Sequence, residues 1–542
     1  MVLKKNLLAL FILLGLGLFA MRTFYGPHYF DGHDAQAHLV RLYQYDLALK
    51  DGQILPQWAG GLLAGRGYPV FIFAYPLPYL IAESFHLVGF SLAVAIKLTF
   101  ALSYLVSLVG MYFLAGFTGA ILWGFAPYMF VKIFITASLG EVVSYAVIPW
   151  FFLSLKRRNY LLLSLTLALW ILSHPATLVI FSPLILLFFL THLKNYRQLL
   201  LSFLLGLGLS AWYFIPANLE LGYTHFKEFV STQYVNDFVP FARLLYSKWG
   251  TNAPGWGVNP LSQQVGIAQW LAICFGFIYW RKLWPYLLSF GVSIFLMLSI
   301  SKPIWDLPTL LQSVSTPWRF LSLAVFSAAL AGGLVIKQIR SYWLRITVSG
   351  LLIFLALYGN RNHLRINDIR NYDKIFLENY IGVATGWNEY LPIWIKDTPH
   401  EFPQNKLEVL TGNCQINYPT VKCLIPSTLQ LNTAYFPGWQ VKANDQDLIE
   451  EIKANLDSSS GMMQFSLDPG EYKISAKFSD TPLRRFSKII SLFTLAGLII
   501  FYFQPRFFSL LRLRLAGLFP SCAGKTVGKL SVRRSNKRWG NH

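Results

Sequence analysis

One short polar segment near the N-terminus carries the side chains best suited to acid, base and anion chemistry. It reads DGHDAQAHLVR and holds two aspartates, two histidines and an arginine: Asp31, His33, Asp34, His38 and Arg41. A helix beginning near Ala35 would place Asp34, His38 and Arg41 on one face, because residues three and four apart are neighbours on a helix surface. That face could hold a base, a divalent metal ion such as Mg or Mn bound by Asp34, and an anion. The alternative is a solvated loop leaving a membrane, where charges are also expected.

The composition is that of a membrane protein. Of 542 residues, 55% are hydrophobic and only 13% are charged, whereas about a quarter of a soluble domain is charged. The net charge of +21 could suggest nucleic acid, but the basic residues lie in short clusters between apolar runs, as in cytoplasmic loops. We therefore expect anionic lipid headgroups as partners, and no nucleic acid.

The basic clusters predict an orientation and a number of spans. Lys4 and Lys5 start inside, because the positive-inside bias concerns short loops near helix ends, so residues 25–95 form the first outer loop. The first 22 residues are interpreted as an uncleaved helix, since their apolar run reaches the lower limit for a span. Placing every basic cluster inside gives a multi-pass protein of the inner (cytoplasmic) membrane with cytoplasmic N- and C-termini and about twelve spans: 1–22, 97–116, 117–135, 141–155, 159–173, 174–192, 199–217, 263–280, 283–301, 318–336, 346–358 and 486–504.

The predicted fold class is a polytopic α-helical membrane protein with a C-terminal, extracytoplasmic β-rich domain. The alternating segments VKCLIPSTLQL and GEYKISAKF, with turn signals between them, predict a small antiparallel sandwich. Cys414 and Cys423 flank Tyr418 and Pro419 symmetrically, so a hairpin would set them opposite each other as a disulfide or as two reduced cysteines. The expected domains are a transmembrane domain at 1–359, the sandwich at 360–485, a last helix at 486–504 and a basic cytoplasmic tail at 505–542.

Further polar residues are expected at the outer ends of spans. Burying a polar side chain at membrane depth costs free energy, so those that lie near one face are candidates for function. Glu141 begins a span, His174 lies in the turn between two spans, and Arg319 begins another span beside Trp318. Each has a structural alternative. Glu141 could cap a helix N-terminus, His174 could be a turn residue before proline, and Arg319 with Trp318 could anchor at the interface.

Together these groups suit the transfer of a sugar from a phosphate-bearing lipid. A carboxylate can deprotonate an acceptor hydroxyl or bind a divalent ion, and an arginine can stabilise a departing phosphate. Outside the cell there is no nucleotide pool, so an activated sugar there would be carried on a lipid phosphate. The expected partners are a polyprenyl-phosphate-linked sugar, membrane lipids, and a glycan, lipid or protein acceptor in the envelope.

Seven motifs follow one another along nearly the whole chain: HDAQAHLVRLYQYDLALKDGQILPQW, GYPVFIFAYPLPYL, GEVVSYAVIPW, SHPATL, STPWRFL, NEYLPIW and YFPGWQVKANDQ. In this order they resemble the bacterial YfhO-like membrane proteins and, equally, membrane proteins with a 6-pyruvoyl-tetrahydropterin synthase-related domain. Those proteins are similar to the GT-C glycosyltransferases, with many spans, a catalytic Asp in the first outer loop and a polyprenyl-phosphate sugar donor. The resemblance implies that Asp34 is catalytic, with Asp31 as a second candidate. Ala35 interrupts the usual acidic pair, and His33 with His38 do not form the histidine triad of the soluble synthase, so no pterin chemistry is carried over.

The leading hypothesis is a GT-C-like glycosyltransferase acting on the outer face. Asp34 would be the base or metal ligand, Arg319 and Arg41 would bind phosphate beside Trp318, and the supporting groups would be Glu141, His38 and His174. The alternatives are a transporter or lipid flippase, which should show internal repeats and polar groups at mid-membrane, and a non-catalytic envelope assembly protein. A shared site requires these groups to lie within about 15 Å of one another, because reacting groups must approach to roughly 3 Å per contact.

Overall fold

The computed structural model describes residues 2–191, 193–253, 258–307, 309–386 and 388–503. Met1–Ser491 form one compact unit and Leu492–His542 a second. The site and the contacts below belong to the first unit. The predicted basic tail, 505–542, lies outside the described residues.

Helices occupy each of the segments expected to span the membrane. Within the described residues, five helical segments are long and apolar enough to cross it, and two bent pairs raise the number to as many as seven. The chain is therefore a multi-pass membrane protein with five to seven candidate spans, and the count of twelve stays a prediction. The apolar helices are α1 (Val2–Ala20), α5 (Leu92–Ala115), α6 (Phe117–Gly124), α7 (Pro127–Phe130), α8 (Leu139–Arg157), α9 (Tyr160–Ser173), α10 (Pro175–Thr191), α11 (Tyr196–Leu219), α14 (Ile267–Ile278), α15 (Trp280–Met297), α17 (Leu321–Gln338), α18 (Tyr342–Gly359) and α21 (Pro482–Phe503).

Shorter helices lie in the connecting segments. In residues 25–95 they form at the N-terminal polar segment and at the Pro- and aromatic-rich stretch that follows it. They are α2 (Ala35–Lys50), α3 (Val70–Phe73), α4 (Pro76–Leu87), α12 (Phe226–Gln233), α13 (Phe241–Leu245), α16 (Lys302–Trp305), α19 (Lys374–Glu378) and α20 (Ile449–Ala454).

Two expected spans differ from their predicted form. The segment 117–135 is not one helix: α6 and Pro127–Ile135 meet at an angle of 50°. Pro127 causes the break, because it lacks an N–H and forces the preceding Ala126 into an extended conformation. Arg281 and Lys282, expected in an inner loop, lie instead in the first turn of α15.

The C-terminal part of the first unit is rich in β-strands. One sheet has the order β4-β5-β10-β7-β8 and a second the order β3-β6-β9. Cys414 and Cys423 are directly opposite each other and are joined by a disulfide. The strands in this region are β3 (Leu407–Thr411), β4 (Cys414–Asn417), β5 (Thr420–Cys423), β6 (Ser427–Ala434), β7 (Trp439–Ala443), β8 (Gln446–Asp447), β9 (Met462–Leu467) and β10 (Gly470–Phe478).

The segment between α1 and α5 is tied to this later part of the chain. Its strand β1 (Tyr29–Phe30) pairs antiparallel with β2 (Ile369–Arg370). Trp58 packs against Trp439 and Phe478, with ring centroids 5.3 and 4.9 Å away. The contacts of the described residues do not separate the helical and β-rich parts at residue 360, so the expected domain limits stay a prediction.

Candidate active site

Asp34 lies at the position immediately before α2 and opens into a cleft. Its backbone N–H donates to the carbonyl of Thr136 over 3.1 Å, and its carboxylate has no hydrogen bond to another described residue. The residue is exposed to solvent, yet protein surrounds it closely enough that desolvation raises the pKa of its carboxyl, while Arg41, Arg319 and Lys132 act in the opposite direction. A group that is open to solvent and yet partly desolvated by the protein around it is typical of a cleft.

Glu141 is the buried centre of the charges that face Asp34. It lies in the first turn of α8 and is 1% exposed. One carboxylate oxygen is 2.8 Å from Lys132 Nζ and 3.3 Å from Arg319 Nε. The other oxygen accepts a hydrogen bond of 3.1 Å from the Tyr145 hydroxyl. Glu141 is thus a shared counter-charge for two cations rather than a helix cap alone.

Lys132 is fully buried between aromatic rings. Its Nζ lies 4.4 Å from the ring centroid of Trp318 and 5.4 Å from that of Tyr128, positions that favour cation–π attraction. Trp318 is only 7% exposed. The structure therefore places Trp318 beneath Lys132, where it packs against the cation, and not on the open side of the cleft.

Arg319 is oriented by its own turn. It lies in the 3-10 turn Pro317–Phe320, and its Nη1 donates to the Val314 carbonyl at 2.8 Å and to the Ser315 hydroxyl at 3.0 Å. A quarter of its side chain is exposed, and Nη2 has no partner among the described residues. A guanidinium held on one side with a free edge on the other can bind an anion such as phosphate.

Arg41 and His38 meet at one tyrosine hydroxyl. Arg41 Nη1 donates to the Tyr79 oxygen at 3.3 Å, and its Nε donates to the Ala384 carbonyl at 2.6 Å. His38 Nδ1 lies 2.8 Å from the Tyr79 hydroxyl oxygen, and its Nε2 lies 3.4 Å from the Leu139 backbone nitrogen. Burial, followed by the charge of Arg41, lowers the pKa of His38 well below its usual value. His38 is therefore a neutral support for Arg41 and not a second base.

His174 lies on the α9–α10 side of the same group. It is partly exposed, its Nδ1 is buried with no hydrogen-bond partner among the described residues, and its ring centroid is 5.2 Å from that of Tyr75. Tyr75 in turn lies against Gly140, where an added Cβ would come within 2.4 Å of the ring. The close approach of α8 to Tyr75 thus depends on a glycine next to Glu141.

Three non-glycine residues beside the site have positive φ angles. Ala137 (φ 51°) precedes α8, Ser315 (φ 64°) precedes Arg319, and Ala384 (φ 54°) supplies the carbonyl that holds Arg41. Such backbone is unfavourable for an L-residue and persists where the surrounding structure imposes it, often at functional sites. These strained positions therefore adjoin side chains that also belong to the charged network.

Asp31 points to a different place. Its carboxylate is 3.5 Å from Arg370 Nε, and its N–H donates to the Asp368 carbonyl. His33 is bound through Nε2 to the Thr251 carbonyl at 2.6 Å. Among the described residues, no three His, Cys, Asp or Glu side chains come together as a metal site, so Asp34 lacks protein co-ligands there. We derive no step through a metal ion.

The structure brings together five of the predicted residues in one network: Asp34, Arg41, Glu141, His174 and Arg319. Sequence reasoning missed three further members, although each gave a signal. Lys132 interrupts an apolar run, and Tyr79 lies in the motif GYPVFIFAYPLPYL. Asp237 lies between α12 and α13, and burial raises the pKa of its carboxyl to about 6 while the charge of Arg319 acts against this.

Comparison with known proteins adds little to this geometry. No family model and no curated protein matches the sequence. Among solved structures, the chain is similar to the cryo-EM structure of the arabinofuranosyltransferase AftD from mycobacteria, with a TM-score of 0.42 and 12% sequence identity over 66% of this chain. The match spans 27% of the length of that protein. The YfhO-like, pterin synthase-related and GT-C resemblances stay predictions.

Proposed function

We propose that this chain is a membrane glycosyltransferase that moves a sugar from a polyprenyl-phosphate donor to an envelope acceptor on the outer face. The observation that carries the proposal is the exposed Asp34 carboxylate set among Arg41, Arg319 and Lys132. This arrangement places a base beside an anion-binding group in a cleft that borders apolar helices. A lipid-borne donor explains why such a site is built into a membrane protein.

The reaction would form one bond at the anomeric carbon of the sugar and break another. The acceptor hydroxyl oxygen bonds to that carbon as its proton passes to the Asp34 carboxylate. The bond between that carbon and the phosphate oxygen breaks, and its electron pair leaves with the polyprenyl phosphate. The proton on Asp34 then returns to solvent, so the products are a glycosylated acceptor and polyprenyl phosphate.

The supporting residues have separate tasks in this scheme. Arg319 binds the departing phosphate through its free Nη2 edge, where a positioned cation stabilises developing negative charge. Glu141 holds Arg319 in place and also pairs with Lys132, so one negative charge is shared by two cations and the group keeps a net positive charge that favours an anion. Desolvation raises the pKa of the Asp34 carboxyl, which strengthens it as a base relative to an ordinary aspartate.

The test uses the purified full chain in proteoliposomes. A panel of polyprenyl-phosphate hexoses and pentoses is supplied with cell-envelope extract as acceptor, and release of free polyprenyl phosphate is measured. We expect Asp34→Asn to lower the rate by about 10²–10⁴-fold, the usual contribution of a general base, while polyprenyl phosphate still protects the variant against thermal unfolding. Arg319→Gln should lose that protection.

Two controls make the outcome specific. Asp51→Asn changes an exposed aspartate just after the same helix and should behave as the wild type. Polyprenol, which lacks the phosphate, should protect none of the proteins. A wild-type rate in Asp34→Asn would remove this residue from the mechanism and overturn the proposal.

A further inference from the structure

An open pocket is lined by the residues that immediately precede Asp34. Its volume is about 680 Å³, within the range of small-molecule sites. Three separate outer segments form it, and its polar lining consists of Asp31, His33, Thr251, Asn252, Asn367 and Asp368.

The walls of this pocket are held by backbone contacts. Asp31 N–H donates to the Asp368 carbonyl at 2.9 Å, and His33 N–H donates to the Ile135 carbonyl at 2.9 Å. His33 Nε2 is 2.6 Å from the Thr251 carbonyl, which joins the first outer loop to the segment before residue 254. The pocket is therefore formed before any ligand enters it, which lowers the entropy cost of binding.

The charge of the lining selects against an anion. Two aspartates, Asp31 and Asp368, line the pocket, and Arg370 meets the Asp31 carboxylate only at 3.5 Å, with 58% of the arginine side chain and 37% of the aspartate side chain exposed. The amides of Asn252 and Asn367 make no hydrogen bond to another described residue, so each offers donors and an acceptor. Carboxylates and primary amides without a net positive charge suit neutral, hydroxyl-rich molecules better than phosphate.

The two groups of residues near Asp34 differ in charge. Arg41, Arg319 and Lys132 act on the Asp34 carboxylate as cations, whereas the pocket that begins at the adjacent His33 is lined by carboxylates and amides. A phosphate is favoured near the cations and disfavoured in the pocket. The base is next in sequence to a residue of the pocket, so a hydroxyl held there is a candidate proton donor to that base.

We infer that the pocket of Asp31, His33, Asn252, Asn367 and Asp368 binds the acceptor and that this acceptor is a neutral saccharide. The inference rests on the proposed transferase function, whose acceptor class it names. Hydroxyl groups of the saccharide donate to the carboxylates of Asp31 and Asp368 and exchange hydrogen bonds with the two asparagine amides.

The test measures saccharide and donor binding separately on the full chain in detergent. Saturation-transfer difference NMR is recorded with a panel of neutral disaccharides and with their sulfated counterparts. We expect signals from neutral members and none from the sulfated ones, and at least a tenfold weaker affinity in the double variant N252A/N367A. A matched control, N417A, changes an exposed asparagine in β4 and should bind as the wild type does.

Thermal protection by polyprenyl phosphate is measured on the same samples. The asparagine double variant should keep this protection, and Arg319→Gln should lose it while still binding the disaccharides. Equal disaccharide binding in wild type and N252A/N367A, binding of sulfated members alone, or no binding of any neutral member overturns the acceptor site. A different outcome is that polyprenyl phosphate does not protect the wild type although the wild type binds the neutral disaccharides. That result would reject the transferase proposal and leave the saccharide site standing.

Discussion

Glu141 and Lys132 form a buried pair whose two members are not equivalent. Glu141 has two cationic partners and a tyrosine hydroxyl, whereas Lys132 has one carboxylate and two aromatic rings. Removing one partner of a buried pair is costly mainly because the other charge is left uncompensated. The loss of stability caused by each substitution therefore depends on which charge it leaves without a partner.

Glu141→Gln should destabilise the protein far more than Lys132→Met. The first change leaves Lys132 buried without its counter-ion, at a cost of about 3–5 kcal/mol, whereas after the second Glu141 is still paired with Arg319. The double variant should recover part of the loss, since the stranded lysine is gone. Thermal unfolding of the purified proteins as a double-mutant cycle measures this. Equal destabilisation by the two single changes would show that Arg319 does not compensate Glu141.

At the scale of elements, the sequence predicted helix positions better than helix shapes. Apolar length predicts where α5 and α8 lie, and the face shared by Asp34, His38 and Arg41 follows from α-helical spacing. The break at Pro127 and the π-type turn Val131–Ile135 were not predicted, because the segment 117–135 was placed by its apolar length, which does not report a bend within it. That turn is what directs Lys132 at Glu141, so the buried lysine could not be assigned from sequence alone.

A buried ion pair also joins two distant elements. Arg484, near the start of α21, donates through Nε to Glu220 at 2.8 Å and through Nη2 to the Pro437 carbonyl at 2.9 Å. Glu220 follows α11, and its other oxygen accepts from Thr481 at 3.0 Å. The side chains are 1% and 4% exposed. One arginine thus connects the end of a helix, the loop before β7 and the last helix.

We expect Glu220→Gln to lower the midpoint of thermal unfolding strongly. The free energy of unfolding should fall by about 3–5 kcal/mol, because Arg484 would keep an uncompensated charge in a buried site. The matched control is Glu450→Gln, which breaks the exposed Lys453–Glu450 pair and should change stability little. Both are measured in the same detergent. Similar midpoints for the two variants would mean that Glu220 and Arg484 are not coupled in the folded protein.

At the scale of the whole molecule, the site and the basic loops lie at opposite ends of one helix. Glu141 is in the first turn of α8, and Lys156 and Arg157 are in its last turn. The 19 residues of α8 span about 28 Å at 1.5 Å per residue, close to the roughly 30 Å of a bilayer core. If the basic end is cytoplasmic, the cleft opens to the outside.

Labelling with a membrane-impermeant maleimide on intact cells tests this orientation. Cysteines are introduced one at a time by R157C or D51C after replacement of Cys274 and Cys522 by serine; Cys414 and Cys423 are held in their disulfide and should not react. D51C should label on intact cells and R157C only after detergent is added, because positive residues near helix ends stay inside. Labelling of R157C from outside would place Asp34 in the cytoplasm. Nucleotide-activated sugars are available there, so the reason for a lipid-phosphate donor would disappear even if Asp34 proved catalytic.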